Sequence, residues 1–227
     1  MFIHEIHEGK HEKTEEGYKD IKPASDLSLA DASSFWADQF KSQTETNEYP
    51  DELLIKEVYG RTENEINIRF EFNQKIIDTL SSFTADNWDI ISDEEKLGLI
   101  MDLIDEVSDV LGIQIPPDFD FYLGEKEECG QYSYETNKIL INDLYFTDSR
   151  VLLDTIMHEL RHAYQHQRAE LNETFEDAIF KFNFEHYISP IFMDDGSIAF
   201  YMDYVGQYVE VDARVFARKF EEAVDSL

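Results

Sequence analysis

The sequence predicts an α+β fold in which a small mixed sheet with an edge hairpin packs against one long amphipathic helix. Residues 65–72 and 118–123 alternate polar and apolar side chains with a period of two, the pattern of half-buried strands, and residues 130–142 read as a hairpin, two strand-like runs around a turn. Longer stretches carry apolar residues at helical spacing, as in Leu97, Ile100, Ile104, Val107 and Leu111, and again in Leu153, Ile156, Leu160 and Ala163. Apolar residues make up 42% of the 227-residue chain, with 17 Phe and 12 Tyr, so there is apolar surface enough to close a core despite the charge.

In chain order, residues 1–26 are polar and broken by Gly9, Gly17 and Pro23, and read as a tail or linker. Ser28 can cap a short helix over 29–43 whose Ala32, Phe35, Trp36, Ala37 and Phe40 form an aromatic docking stripe. Residues 44–50 connect it to a second small element at 52–59. In 65–72, Ile66, Ile68, Phe70 and Phe72 point inward from an expected strand, and a helix through Ile76, Ile77 and Leu80 follows. Ser92-Asp93-Glu94-Glu95 is a capping box opening a helix that stops at Gly112, and Pro116-Pro117 excludes helix beyond it. A strand over 118–123 and a hairpin turning at Glu135-Thr136-Asn137 lead to N-cap candidates at Thr147-Asp148-Ser149. The helix capped there runs to about residue 167, another covers roughly 172–186, and Asp194-Asp195-Gly196 turns into one or two last helices over 198–223, interrupted at Gly206. The domain reading is a tail over 1–26, an N-terminal helical and strand region over 27–90 as a candidate docking region, and the main domain over 91–227.

Charge excludes some functions. With 19 basic against 50 acidic residues the net charge is −31, which argues against a nucleic-acid or anionic-membrane surface. The bland reading of the acid is a solvated surface; the sharper one is an acidic decoy gripping a basic partner. One cysteine, Cys129, excludes an intramolecular disulfide framework. The first residues lack a basic and apolar leader, and no 18-residue apolar run occurs, so the expectation is a cytoplasmic protein or one exported without a recognisable signal peptide.

The chemistry concentrates in His158-Glu159-Leu160-Arg161-His162. Histidines four apart on a helix lie about 40° apart around it and about 6 Å apart along it, so both imidazoles reach one ion. In such an H-E-x-x-H pattern the histidines bind zinc and the glutamate is a general base toward an activated water. His7-Glu8-Gly9-Lys10-His11 fits the same letters, but a glycine interrupts it and no apolar periodicity surrounds it, so it reads as a surface segment.

A zinc hydrolase site needs a third protein ligand. His166 lies roughly 12 Å along the helix from His158, too far to share an ion with it. Glu210 is the better candidate, because it shares a helical stripe with Ala213 and Ala217, small residues that let its helix approach closely. Asp212 points about 200° away on that helix and reads as a supporting partner or salt bridge. For the donor that would steady a developing oxyanion, Tyr201, Tyr204, Tyr208 and His186 all remain candidates.

These residues resemble a family. The H-E-x-x-H with a downstream Glu210-x-x-Ala213 looks like the gluzincin zinc peptidases, and residues 210–217 are similar to the E-x-E-A-N-x-F-A helix of ImmA/IrrE-type peptidases of bacteria and their mobile elements. The resemblance covers about residues 130–217 and implies an edge-strand hairpin, a metal helix and a ligand helix in a zincin-like fold, the domain being read over 91–227. It further implies zinc held by His158, His162 and Glu210, Glu159 as general base, and a protein or peptide substrate. The departures are Arg161 and Arg214 at positions usually uncharged, Asp212 for Glu, and a longer insertion between His162 and Glu210. The alternative from another class is a non-catalytic acidic binding protein, with zinc as a staple or incidental to a decoy role.

Overall fold

The computed structural model describes residues 49–126, 128–189, 191–192 and 198–227. The polar tail, the aromatic stripe over 29–43, the His7–His11 pattern and the turn at Asp194-Asp195-Gly196 lie outside them.

Helix α1 (Asp51–Gly60) opens the described chain, and α2 (Gln74–Leu80), α3 (Ala85–Trp88) and α4 (Asp93–Leu111) follow. Both reciprocal bonds of the Ser92 and Glu95 capping box form, and α4 ends on Gly112 at φ 74°, a left-handed position that favours glycine. Strands β1 (Asp118–Tyr122), β2 (Gly130–Ser133) and β3 (Lys138–Asn142) make a sheet in the order β1-β3-β2. β1 runs parallel to β3 and β2 antiparallel to it, so the sheet is mixed and the hairpin puts β2 at an edge. Asp148 then caps α5 (Ser149–Leu171) by accepting the Val151 amide at 3.1 Å. Helix α6 (Phe175–Glu185), the short pair β4 (Ile191–Phe192) and β5 (Ile198–Ala199), α7 (Tyr201–Gly206) and α8 (Tyr208–Asp225) complete the chain. The expected interruption near Gly206 is the break between α7 and α8.

The architecture is therefore α+β, with α5 at its centre. One face of α5 meets β2 and β3, and other faces meet α6 and α8. Ile139, Ile141, Leu152, Ile156, Leu160, Phe216 and Phe220 are all buried in one cluster. Ile76, Leu80 and Trp88 join the same cluster, while Leu54, Ile55 and Val58 of α1 pack with Ile179 and Phe180 of α6. Residues 51–88 thus share their packing with the later elements.

Residues 65–72 form no strand, contrary to the alternation. A 3-10 turn covers Glu63–Glu65 and the following chain is extended without a ladder. The alternation still marks the inward face: Ile68 is buried, and the rings of Phe70 and Phe72 pack at an angle against Phe220 at 5.2 and 5.0 Å. Period-two patterning reports an extended backbone on a core, whether or not a partner strand is present.

Gly130 sets how closely β2 approaches α5. A Cβ there would lie 2.5 Å from Thr155 Cγ2 and 2.7 Å from the Leu140 carbonyl oxygen. Only glycine lets the edge strand come this near the helix one turn before His158.

Candidate metal centre

His158 and His162 project from the middle of α5, and Glu210 from the first turn of α8, which packs alongside. Ala213 and Ala217 are fully buried at that helix contact, in keeping with the small-residue stripe expected from sequence. His158 Nε2 and His162 Nε2 are 3.0 Å apart. Glu210 Oε2 lies 3.4 Å from the former, and Glu210 Oε1 lies 3.6 Å from the latter. Atoms bound tetrahedrally at 2.0–2.2 Å from one ion sit about 3.3–3.6 Å apart; the two histidine–glutamate distances fall in that range, and the 3.0 Å between the imidazoles would have to open slightly around an ion. The group can hold a metal ion.

The site is dry. His158, Glu159, His162 and Glu210 are at most 1% exposed. Burial pushes the His162 imidazole down to about 4, with His158 adding to the fall and the Glu210 charge opposing it. The ring is therefore neutral near pH 7, the form a metal ligand requires. A cation at that point would be attracted by the Glu210 carboxylate, and strongly so in a low-dielectric surrounding.

Glu159 points toward the sheet side of α5. Burial first, and the Glu210 charge second, hold its carboxyl well above the usual carboxylate range; a hydrogen bond from the Tyr132 backbone amide of β2 works the other way. A dication beside it would favour the carboxylate.

Two tyrosines close the other side. The Tyr187 hydroxyl donates to Glu210 Oε1 at 2.6 Å. Tyr204 is 2% exposed, and its phenol is held well above its usual value by burial, then by the Glu210 and Glu159 charges. Its hydroxyl meets Tyr187 and Glu210. Gln207, fully buried at the α7–α8 break, positions this wall. It accepts from the Ile188 amide at 2.8 Å and from Asn183 Nδ2 at 3.1 Å, and donates to the Ile188 carbonyl at 2.8 Å.

Of the four oxyanion candidates, only Tyr204 is placed against the carboxylates of the site. Tyr208 donates its hydroxyl to Glu176 at 3.0 Å and lies under Arg61. His186 turns Nδ1 to the Phe182 carbonyl at 2.9 Å and stacks on that ring. Tyr201 is a half-buried residue at the start of α7. His166 lies outside the metal set, stacked between Phe184 at 3.7 Å and Tyr134 at 5.2 Å.

Asp212 is a supporting partner, as the helical angle indicates, yet it faces α5 and is fully buried. Arg161 donates to it through Nε at 2.7 Å and Nη2 at 3.1 Å. The charged residue at Arg161 is thereby accounted for: it neutralises a carboxylate on the neighbouring helix. Gln165, Tyr187 and Gln207 are polar contributors that sequence reasoning missed. Gln165 had an available signal, since it stands three residues beyond His162 on the same helical face; Tyr187 lies in a connection with no periodic pattern. No helix among the described residues is long and apolar enough to cross a membrane. No family model, curated protein or solved structure matches the chain.

Proposed function

We propose that this chain is a zinc-dependent metallopeptidase of zincin type, cleaving peptide bonds in a protein or peptide substrate. The observation that carries the reading is the convergence of His158 Nε2 and His162 Nε2, 3.0 Å apart, with one Glu210 carboxylate oxygen 3.4 Å from the first and the other 3.6 Å from the second, and with Glu159 next to His158 on the same helix. Two imidazoles and one carboxylate are a donor set that suits zinc and leaves one position open in a tetrahedron. Zinc bound there would bring the pKa of a water toward about 7 and polarise a carbonyl.

The chain's own residues supply the rest. Glu159, set into an apolar and negatively charged surrounding, takes the proton from the attacking water and returns it to the leaving amine. Tyr204 offers a hydroxyl to the oxygen that gains charge. Tyr187 holds Glu210 in place, and β2, an edge strand whose Tyr132 amide reaches Glu159, lies where an extended peptide can pair alongside.

The test compares wild type with Glu159→Gln. Both should carry zinc, and only the wild type should convert substrate proteins to fragments when the proteomes of cells expressing each form are compared. Cleavage that survives Glu159→Gln contradicts the mechanism.

A second reading has an observation in its favour: all four site residues are at most 1% exposed. In that reading zinc staples α5 to α8 and the protein binds without cutting. It predicts that metal removal lowers stability while no substrate is lost in any proteome.

A further inference from the structure

A buried relay of side chains ends on the outer nitrogen of His162. Gln165 is fully buried one helical turn beyond that histidine, with its Oε1 2.8 Å from His162 Nδ1. Its amide nitrogen donates twice, to Asp212 Oδ2 at 2.7 Å and to the Val209 carbonyl at 3.0 Å. Both are acceptors only, so the amide has one workable orientation. A flipped amide would set its carbonyl oxygen against a carboxylate and a second carbonyl, and its NH2 group against the ring.

We propose that Gln165, clamped by Asp212 and Val209, is the positioning residue that fixes the tautomer and the angle of His162. With a carbonyl oxygen facing it, His162 Nδ1 carries the ring hydrogen, and Nε2 keeps its lone pair toward His158 and Glu210. The inference rests on the metal reading of that trio. Asp212 stays in place because the Arg161 guanidinium grips both its oxygens, and Arg161 is in turn laid over Tyr164 at 4.4 Å and Phe216 at 5.3 Å. Arg161, His162 and Gln165 occupy adjacent positions on α5, and Val209 and Asp212 face them from α8. The contact between the two helices therefore orients one ligand through this relay and brings in another, Glu210, directly.

The relay explains why a full ion pair sits beside a metal-binding group without belonging to it. Asp212 accepts from Arg161 Nε and Gln165 at Oδ2 and from Arg161 Nη2 at Oδ1, and a neutral amide there would turn an NH2 group against the guanidinium.

The test has two arms on the full chain. The first records imidazole nitrogen resonances of the metal-free wild type near neutral pH, where His162 should be the Nδ1–H tautomer with a slowly exchanging proton. The second measures zinc affinity by chelator competition for wild type, Gln165→Met and Phe220→Leu, the last a core variant on α8 away from the relay. Gln165→Met should weaken zinc binding about 10- to 100-fold and mix the His162 tautomers. Phe220→Leu should lower stability and leave both readouts as in wild type. A wild-type His162 protonated on Nε2 overturns the inference without any variant. Unchanged affinity and tautomer in Gln165→Met, or an equal loss in Phe220→Leu, overturn it as well. A wild type that takes up no zinc sinks the metal reading instead, and the tautomer measurement still decides whether Gln165 orients the ring.

Discussion

Removing one member of the Arg161–Asp212 pair should cost far more than its surface counterparts. Both side chains are almost fully buried, with two nitrogen–oxygen contacts of 2.7 and 3.1 Å. Asp212→Ala strands a guanidinium in the interior, a loss of about 3–5 kcal/mol for a buried pair broken from one side. Gln165 also loses one of two acceptors, worth about 1 kcal/mol more. Stacking on Tyr164 and Phe216 returns only a fraction of that. For a domain of this size the sum is a fall in melting temperature of roughly 10–20 °C. Arg161→Met strands the carboxylate and should cost a similar amount. The double variant removes both charges, so it should cost well under the sum of the singles, with a coupling energy of about 2–3 kcal/mol. Urea unfolding of the metal-free proteins near pH 7, followed by circular dichroism and by the fluorescence of buried Trp88, measures all three. Single variants within about 0.5 kcal/mol of wild type, or additive losses, would refute the assignment of a buried coupled pair.

Glu210→Ala should abolish stoichiometric zinc binding, whereas Asp212→Ala should weaken it only about 10- to 100-fold, through Gln165 and His162; atomic absorption after dialysis distinguishes them. Tyr204→Phe should leave zinc content unchanged and lower kcat by about 10²–10³ on any cleaved substrate, as loss of an oxyanion donor does. Asp154, with its carboxyl pushed up to about 6 by burial and then by Glu221, binds protons in the folded state that it lacks unfolded between pH 3.8 and about 6. Stability therefore falls as pH rises through that window, and Asp154→Asn should raise stability at pH 7 by up to about 3 kcal/mol, a gain that vanishes below pH 4. Gly130→Ala should cost about 1–3 kcal/mol in urea unfolding, since the Leu140 carbonyl cannot yield and β2 must move off α5.

The candidate metal-binding group was legible in the sequence because helical geometry is nearly invariant: four residues separate His158 from His162, and the Glu210, Ala213, Ala217 stripe picked out the acid that meets both histidines. The capping box at Ser92, the stop at Gly112 and the hairpin before α5 were legible for the same local reasons. The strand expected over 65–72 failed because a ladder needs a partner, and alternation records only which side is buried. Asp212 shows a further limit. An angle of about 200° from Glu210 suggested a residue turned from the site, yet both carboxylates reach side chains of α5. Glu210 reaches His158 and His162 while Asp212 reaches Arg161 and Gln165. Tyr187 was not legible, because its place depends on Gln207 fastening a connection without regular structure onto the start of α8.

The most direct test of the metal centre is the zinc content of the purified chain beside that of its Glu210→Ala variant, measured by mass spectrometry of the intact protein and by elemental analysis. One zinc per wild-type chain and none in the variant is the predicted result. A wild-type chain that binds no divalent metal, or a variant that binds it as tightly as wild type, would contradict the assignment of His158, His162 and Glu210 as its ligands.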